Sequence, residues 1–476
     1  MPIDLTLSER QRRLRRDARQ FAGDVLSGVL GATRDLPTPA ERFVATRPFY
    51  ERLVVEGFLR KCIPVTVGGE CMGLVDLAIL AEEFYTVDAS ISLTLLSTML
   101  GLAPLVAGGT PEQHRQFLPP FLATKGAPLA AFASTEPGGS ANAGSPPPGE
   151  GVRTTARRVG DEWVISGRKQ WISSATGWDG RGADLLTVVC RTDPEVEPSR
   201  GISIIAVPCP DTGLVLEHAF DTLGHRAHFT PRFRLDAVRV PAGNVLGREG
   251  GGLQLAAESF AGSTALVGIL GVALMRAAFQ FGLSFARSER RGGIQPIIQH
   301  QAVGYALADA KTAIEAARAL SWHACGAIDA AAQGAVELAI HAKLFGSETA
   351  VRVIADLMRI VGIDSYGHEL PLAGLLQDAA ALPLFAGAKP FGAGAEAGRC
   401  GNGVDSGSVR ACRVHGRSRR RSHRWRASGD QGDPAGAQPH FRRTCQALYN
   451  SVVHRDSGGR PWCGPAGAPP QQGARP

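Results

Sequence analysis

The sequence predicts an α+β protein in which a β domain lies between two helical domains. Apolar residues recur at helical spacing over residues 5 to 125. Between residues 130 and 239 the pattern changes to short β-branched segments separated by Gly, Pro and Asp, which is typical of strands joined by turns. Helical periodicity returns at Gly252. The order of helices, then sheet, then helices indicates the α+β class.

Each part of the chain has its own local signals. Thr110, Pro111 and Glu112 are the expected cap, first-position proline and acidic first turn of a helix. The segments EWVISGRKQWIS, ADLLTVVCRT, GISIIAVPC, LVLEHAF and FRLDAVRV favour an antiparallel barrel or sandwich. Three long helices are then expected at about residues 253–290, 298–333 and 335–361.

The basic charge of the chain is confined to its last segment. Residues 391–476 hold 14 Arg, no Lys and five acids, a net charge of +9, so residues 1–390 carry −2 of the total +7. This segment is rich in Gly, Arg and Ser and has few aliphatics, which predicts disorder. A shifted reading frame in GC-rich coding DNA is a second explanation. An arginine-rich arm for nucleic acid is a third, less favoured one, because no folded nucleic-acid module accompanies it.

Cysteine use and hydropathy predict a cytoplasmic protein without a metal site or membrane span. Nine Cys at scattered spacings, with no CxxC pair, indicate neither a disulfide framework nor zinc. The charged N-terminus lacks the apolar core of a signal peptide. The longest uncharged runs, Ala89 to Pro111 and Ser259 to Met275, suit buried helices better than lipid.

Four segments draw attention by their order and spacing. They are AFASTEPGGSANAG (131–144), GRKQWISSATG (167–177), RRGGIQPIIQHQ (290–301) and GIDSYGHELPLAGLLQDAAALPLF (362–385). Taken singly, each has an ordinary structural explanation as a loop, a core strand, a helical hairpin or a helix after a break. Together with VTVGGE (65–70) they resemble the acyl-CoA dehydrogenase family of flavoproteins over roughly residues 5 to 390.

That resemblance implies the domain plan and the cofactor. It implies an N-terminal helical domain (1–128), a central β domain (129–247) and a C-terminal four-helix bundle (248–385), and the low-complexity tail recognised from its composition follows at 386–476. FAD is expected between the β domain and the bundle. Because family members share FAD sites between subunits, a homo-oligomer, dimer or tetramer, is also expected.

The resemblance assigns roles to individual residues. Phe132, Ser134 and Thr135 match the segment along the isoalloxazine, Trp171 matches the tryptophan packed on that ring, and Ser173 matches the hydroxyl that bonds near N5. Arg290 and Gln301 match residues that in this family contact the pyrophosphate and adenosine half of FAD, typically from the neighbouring subunit. Ser140 matches a position on the CoA side of the pocket, although the usual GSD is here GSAN.

The catalytic base of the family is absent from both of its usual positions. Eight residues after Asp378 of the RDA-like motif stands Ala386, and the alternative position on the first bundle helix is Ala261. Alanine cannot accept a proton. Three explanations stay open: the sequence departs from its natural frame near residue 386, another acid such as Glu258 substitutes, or the flavin is used differently. For Glu258 an exposed helix face is the competing interpretation.

The leading functional hypothesis is an FAD-dependent oxidoreductase that forms an α,β double bond in an acyl thioester. The thioester would be carried by CoA or by an acyl carrier protein. An electron-transfer partner is then expected. The alternative is a flavin-dependent monooxygenase on the same scaffold, which needs no α-proton base but needs a flavin reductase.

Overall fold

The computed structural model describes residues 6–385, except 146–148, 150 and 210–211. The predicted low-complexity tail and Ala386 lie outside these residues. The N-terminal part is helical and ends before the first strand; its helices are α1 (Glu9–Asp24), α2 (Val29–Thr33), α3 (Pro39–Ala45), α4 (Arg47–Val55), α5 (Leu74–Tyr85), α6 (Ala89–Gly108), α7 (Pro111–Phe117) and α8 (Pro119–Leu122).

Local capping explains where these helices begin. The side-chain oxygens of Ser8, Thr38 and Thr110 each accept a hydrogen bond from the backbone N–H of the third residue of the helix. The side chain of that third residue in turn accepts a hydrogen bond from the backbone N–H of the cap residue. The predicted cap and first-position proline of α7 are thus confirmed. Helix α6 lies close to the sheet, because a Cβ on Gly101 would stand 2.4 Å from the backbone of Ala131.

The central domain is one eight-stranded sheet. Its strands are β1 (Ala130–Ala133), β2 (Thr155–Val159), β3 (Glu162–Gln170), β4 (Leu185–Arg191), β5 (Ile202–Pro208), β6 (Leu214–Ala219), β7 (Pro231–Pro241) and β8 (Val245–Leu246), with the short helix α9 (Pro198–Gly201) before β5. The order is β6-β7-β3-β2-β4-β5-β8, and β1 pairs with β4. The expectation of a purely antiparallel sheet was wrong, since β1 and β2 both run parallel to β4.

The parallel pairs have a topological cause. A tight hairpin can join only antiparallel strands, whereas parallel neighbours need a longer connection. Strands β2 and β3 are joined by a short turn and pair antiparallel. Strand β1 instead reaches β4 only after the whole β2–β3 hairpin has intervened.

The C-terminal part is a four-helix bundle, as the sequence predicted. It contains α10 (Gly252–Ser288), α11 (Gln301–Asp329), α12 (Ala335–Val361) and the shorter α13 (Pro371–Ala381). Helices α10 and α12 approach each other through glycines: a Cβ on Gly271 would stand 2.4 Å from the carbonyl oxygen of Gly346. Because no side chain fits there, the two backbones pack directly against each other.

This close approach predicts a stability effect. Replacing Gly271 by alanine should lower the free energy of unfolding by about 1–3 kcal/mol, since the new methyl group must push two backbones apart. The matched control is Gly326→Ala on α11, where nothing lies within 4 Å of the new Cβ and the helix should gain about 0.5–1 kcal/mol. Denaturant unfolding measures both. Equal stability of the two variants would contradict the packing described.

A buried ionic cluster joins the N-terminal helices to the bundle. Glu83 on α5 accepts hydrogen bonds from Arg276 on α10, at 2.6 Å, and from Arg15 and Arg19 on α1, at 2.8 and 3.0 Å. The neighbouring Glu82 binds Arg276 and Arg318 at 2.7 and 2.9 Å, with Arg318 lying on α11. Burial disfavours the charge of Glu83, but the arginines outweigh it and lower the pKa of its carboxyl to about 2.

Two helices are long and apolar enough to cross a membrane by composition alone. They are α6 and α10. Of the 18-residue apolar stretch in each helix, 61% in α6 and 72% in α10 is buried inside the protein. Their apolar character is therefore accounted for by packing in the core.

Candidate flavin site

The ends of β1 and β3 bring three of the predicted residues together. Phe132 is a buried residue of β1, and its ring lies 5.1 Å from that of Phe260 on α10. The backbone N–H of Gln170, at the end of β3, donates to the carbonyl of Thr135 at 2.9 Å. Trp171 follows Gln170 directly. The sheet thus holds Phe132, Thr135 and Trp171 at a common edge, next to the first bundle helix.

The loop that carries Ser134 and Thr135 is anchored by a buried ion pair. The Lys169 ammonium donates to Glu136 at 2.9 Å and to the carbonyls of Val189 and Ser134 at 2.7 and 3.2 Å. The carboxylate of Glu136 also accepts from the backbone N–H groups of Arg153 and Thr154. Burial raises the pKa of Glu136, but the charge of Lys169 and the hydrogen bonds from Lys169 and Thr154 together outweigh it, and the net shift of the pKa is downward.

Neither residue of this pair was singled out from the sequence. A signal existed for Lys169. Every second residue of β3 points to the same face of the sheet, and on the buried face Trp163 and Ile165 are followed by Lys169, past a register shift between Ile165 and Gly167. A charged residue at an inward position of a strand requires a buried partner. Glu136, hidden in the TEPGG turn, gave no comparable signal.

The segment after β3 holds an unusual backbone conformation. Trp171 and Ser174 have φ of 60° and 56°, a region that residues other than glycine rarely adopt. Such strain collects at functional sites, where the surrounding structure enforces it. Trp171 stacks on Phe220 with ring centroids 3.9 Å apart, yet 47% of its surface stays exposed. The indole therefore presents a second aromatic face to solvent.

Ser173 lies between these two strained residues and is bonded to a buried histidine. Its Oγ is 2.9 Å from Nε2 of His228, and Nδ1 of that ring is 3.0 Å from Oγ1 of Thr94 on α6. His228 lies in the loop before β7 and was not selected from the sequence, where nothing distinguished it. The hydroxyl predicted to approach the flavin is thus coupled to the N-terminal helical domain.

A second group of buried polar side chains surrounds His225, which stands three residues before His228 in the sequence. Tyr85 bonds His225 through its hydroxyl, and the backbone N–H of His225 donates to Asp378 at 2.5 Å. Burial raises the pKa of Asp378 to about 7. The ring of Phe385, the last described residue, lies 5.7 Å from that of His225. The next residue in the sequence is Ala386, the expected position of the base.

Glu258 lies away from these groups. It is exposed on α10 and accepts a hydrogen bond from Gln254 at 3.0 Å. Phe260, which contacts Phe132, is two residues further on, about 200° around the helix. Glu258 thus has neither the burial nor the orientation of a base beside Phe132, which favours the exposed-face interpretation. Ser140 is exposed as well, in the loop after β1.

The predicted pyrophosphate contacts lie at the far end of α10. Arg290 is exposed and donates to the carbonyl of Ile294 at 3.0 Å, and Gln301 donates to the hydroxyl of Tyr305. Ser288, at the end of the helix, is 28 residues from Phe260, which amounts to about 42 Å along the axis. Within one chain, Arg290 and Phe132 cannot hold the same cofactor. The structure does not bring these two predicted sets together.

Buried hydroxyl groups support the fit of a polar ring system here. Oγ of Ser174 and Oγ1 of Thr230 are buried and have no hydrogen-bond partner among the described residues. Unpartnered buried hydroxyls call for a ligand or a water. With Phe132, Thr135, Trp171 and Ser173 near the same edge, the site offers an aromatic face and hydrogen-bonding groups, as a flavin needs. No cluster of metal-ligating side chains occurs in the part of the chain that the structure describes.

The three-part fold and this site define an FAD-dependent oxidoreductase. The N-terminal, middle and C-terminal domains of the acyl-CoA dehydrogenase family match residues 8–125, 131–238 and 250–390. The chain belongs to the acyl-CoA dehydrogenase family, as its resemblance predicted. Members of this family are FAD flavoproteins, so the predicted cofactor is confirmed.

Similar proteins divide between two activities. The nitroalkane oxidase of Podospora anserina is 41% identical over 405 residues, which is 81% of this chain and 93% of that protein. The mitochondrial short-chain specific acyl-CoA dehydrogenase of Bos taurus is 31% identical over 80% of this chain and 87% of its own. One solved structure is a nitroalkane oxidase whose active-site aspartate was replaced by asparagine and which was crystallised with 1-nitrooctane. It matches this chain with a TM-score of 0.78 and 36% identity. The match covers 82% of this chain and 94% of that one.

Proposed function

We propose that this chain is an FAD-dependent oxidase of nitroalkanes that acts on the substrate anion. The observation that carries this proposal is the alanine at residue 386 of the sequence, eight residues after Asp378, where the base is expected. Phe385 packs against His225, and three residues further on His228 bonds Ser173. The residue after Phe385 in the sequence is Ala386, so the expected base position holds no group that can accept a proton. The similar nitroalkane oxidase noted above has an active-site aspartate.

The lack of a base selects the form of the substrate. Removing a proton from carbon requires a group within hydrogen-bond reach whose pKa suits the task, and an alanine provides none. A nitro group delocalises the charge of an adjacent carbanion, so a nitroalkane can lose its proton to water at mildly alkaline pH. The anion then needs only binding, orientation and an electron acceptor. Oxidation by O₂ with one water gives a carbonyl compound, nitrite and hydrogen peroxide.

The residues of the chain would hold the cofactor and the anion in place. FAD, when bound, supplies the acceptor of two electrons. Trp171 would pack its exposed face on the ring, and the loop of Ser134 and Thr135, fixed by Lys169 and Glu136, would present hydrogen-bond donors to the pyrimidine side. Donors placed there stabilise the negative charge of the reduced ring. Phe132 and Phe260 would exclude water from this region.

An oligomer would complete the site. The loop between α10 and α11 and the segment after α12 are linked by the Arg291–Asp364 ion pair and carry exposed apolar side chains, of which Ile294 is 90%, Ile363 82% and Tyr366 79% exposed. Exposed apolar groups of this kind mark association surfaces. We infer that a second copy covers them and brings Arg290 and Gln301 to its neighbour's FAD. The cytoplasmic location stays a prediction.

A second candidate is the dehydrogenation of an acyl thioester, favoured by the matched family domains and the similarity to short-chain acyl-CoA dehydrogenase. It has no base for the α-proton either. The exposed loop at Ser140, where GSAN replaces the usual GSD, offers less to CoA. The monooxygenase alternative requires reduction by a separate reductase system.

Substrate form and flavin reduction together distinguish these functions. FAD-loaded protein is given 1-nitropropane, either neutral or ionised beforehand, and O₂ uptake and nitrite are followed. We expect turnover of the anion at least about 100-fold faster than that of the neutral form, the size of effect that general-base catalysis normally supplies. Anaerobic bleaching of the flavin by a short acyl-CoA, without turnover of either nitroalkane form, would instead establish the dehydrogenase. Bleaching only by a flavin reductase system would indicate the monooxygenase.

A further inference from the structure

A chain of buried hydrogen bonds leads from the N-terminal helical domain to Ser173. Thr94 Oγ1 is 3.2 Å from the carbonyl oxygen of Ser90 and 3.0 Å from Nδ1 of His228. The other ring nitrogen, Nε2, is 2.9 Å from Oγ of Ser173. His228 is only 4% exposed, and Thr94 is fully buried. Each of these atoms therefore finds its partners inside the protein.

The imidazole of His228 carries a single proton. Burial lowers its pKa to about 3, with a smaller contribution from His225, so the ring is neutral at any pH at which the protein is used. A neutral imidazole donates from one nitrogen and accepts at the other. Whichever nitrogen carries the hydrogen decides whether Ser173 donates to His228 or accepts from it.

Counting hydrogens selects one of the two arrangements. If Nδ1 carries the hydrogen, it donates to Thr94, Thr94 donates to the Ser90 carbonyl, and Ser173 donates to Nε2, so all three hydrogens have acceptors. If Nε2 carries it, Thr94 must turn to Nδ1 and loses its hydrogen bond to the Ser90 carbonyl, and the hydroxyl hydrogen of Ser173 is free to point toward the flavin. Only the first arrangement keeps both hydrogen bonds of the buried Thr94 together with that of Ser173, and buried polar groups favour the arrangement that satisfies more of them. The Nδ1–H form is therefore preferred.

We propose that His228 is a positioning residue that takes up the hydroxyl hydrogen of Ser173 and thereby leaves Ser173 to act as a hydrogen-bond acceptor toward N5 of the flavin. This inference rests on the proposed flavin site, in which Ser173 lies near N5. Oxidised N5 is an acceptor and reduced N5 carries a hydrogen. A serine whose own hydrogen is held by His228 bonds the reduced form better than the oxidised one. His228 thus makes the bound flavin easier to reduce.

The reduction potential of the bound flavin measures this effect. In His228→Leu the hydroxyl of Ser173 is released and can donate to oxidised N5. We expect the equilibrium to move about tenfold toward oxidised flavin, a potential about 30 mV lower for a two-electron couple. In His228→Gln the side-chain carbonyl can accept from Ser173, and the potential should return toward that of the wild type.

A double-mutant cycle separates this role from general effects on packing. In a Ser173→Ala background there is no hydroxyl to direct, so His228→Leu should no longer change the potential. A shift of equal size in both backgrounds would overturn the proposal. So would an unchanged potential in His228→Leu that retains FAD.

The tautomer can also be measured without any variant. In protein labelled with ¹⁵N-histidine, nitrogen NMR of the form with oxidised FAD should show His228 protonated at Nδ1 and not at Nε2. Protonation at Nε2 would overturn the proposal even if His228→Leu did not fold. A protein that stays colourless with excess FAD would refute the proposed function instead, while the tautomer of the apoprotein still tests the arrangement of His228.

Discussion

Replacing Ala386 by aspartate should make this protein an efficient oxidase of neutral nitroalkanes. The variant places a carboxylate one residue after Phe385, whose ring packs on His225. A positioned general base contributes about 10²- to 10⁴-fold to proton removal, so we expect the rate with neutral 1-nitropropane to rise by that factor. The rate with the preformed anion should change little, because no proton remains to be removed. Initial rates of O₂ uptake with both forms give the comparison.

The matched control for this variant is Ala386→Asn, which has the same size and polarity but cannot accept a proton. It should resemble the wild type with both substrate forms. If the aspartate and asparagine variants oxidise neutral nitroalkane equally, while both retain FAD, then residue 386 does not face the reacting carbon. If the aspartate variant instead acts on acyl-CoA, the base position is correct and the substrate assignment is wrong.

Replacing Glu83 by glutamine should destabilise the protein by about 3–5 kcal/mol, as expected when one partner of a buried ionic cluster is removed. Three arginines, Arg15, Arg19 and Arg276, would lose the carboxylate that neutralises them. The side chain of Glu83 is only 1% exposed, so solvent screening offers no compensation. Glu337→Gln, at an exposed position in the first turn of α12, removes the same charge and should have little effect.

The same residue predicts a pH dependence of stability. The folded pKa of Glu83 is lowered to about 2 from an ordinary value of 4.5. A lowered pKa contributes stability that is fully present above about pH 4.5 and is lost as the pH falls toward 2. The shift corresponds to about 3 kcal/mol. Urea unfolding at several pH values between 6 and 3 should show this decline in the wild type and a flatter profile in Glu83→Gln. Parallel profiles would mean that the cluster does not govern acid stability.

Local patterns were enough to predict the order of the elements. Apolar spacing located the three long bundle helices to within a few residues, since α10 and α12 each follow an uninterrupted helical period. Thr110 predicted the start of α7 because capping depends only on residues within one turn. Five of the eight strands, β3 to β7, were found by the same reasoning, whereas β1, β2 and β8 were not predicted. The pairing of the strands was not predicted either, because which strands become neighbours depends on contacts between distant segments, and β1 and β2 proved parallel to β4.

The candidate site shows the same division. Phe132, Thr135, Trp171 and Ser173 were identified because they stand in motifs whose order resembles a known family. Glu136, Lys169 and His228 were missed, although they hold that set in place. Each acts on a partner far away in the chain: Lys169 binds a carboxylate 33 residues before it, and His228 contacts Thr94 134 residues before it. No local pattern records such a contact.

The sequence alone thus determined the class of fold, the family, the cofactor and the absence of a carboxylate at residue 386, because these depend on residue types in order along the chain. Only the tertiary structure decided that Glu258 faces solvent, that α10 separates Phe260 by about 42 Å from Ser288, two residues before Arg290, and that a buried histidine is bonded to the hydroxyl of Ser173. These properties depend on burial and on distances between segments, and both exist only once the chain has folded.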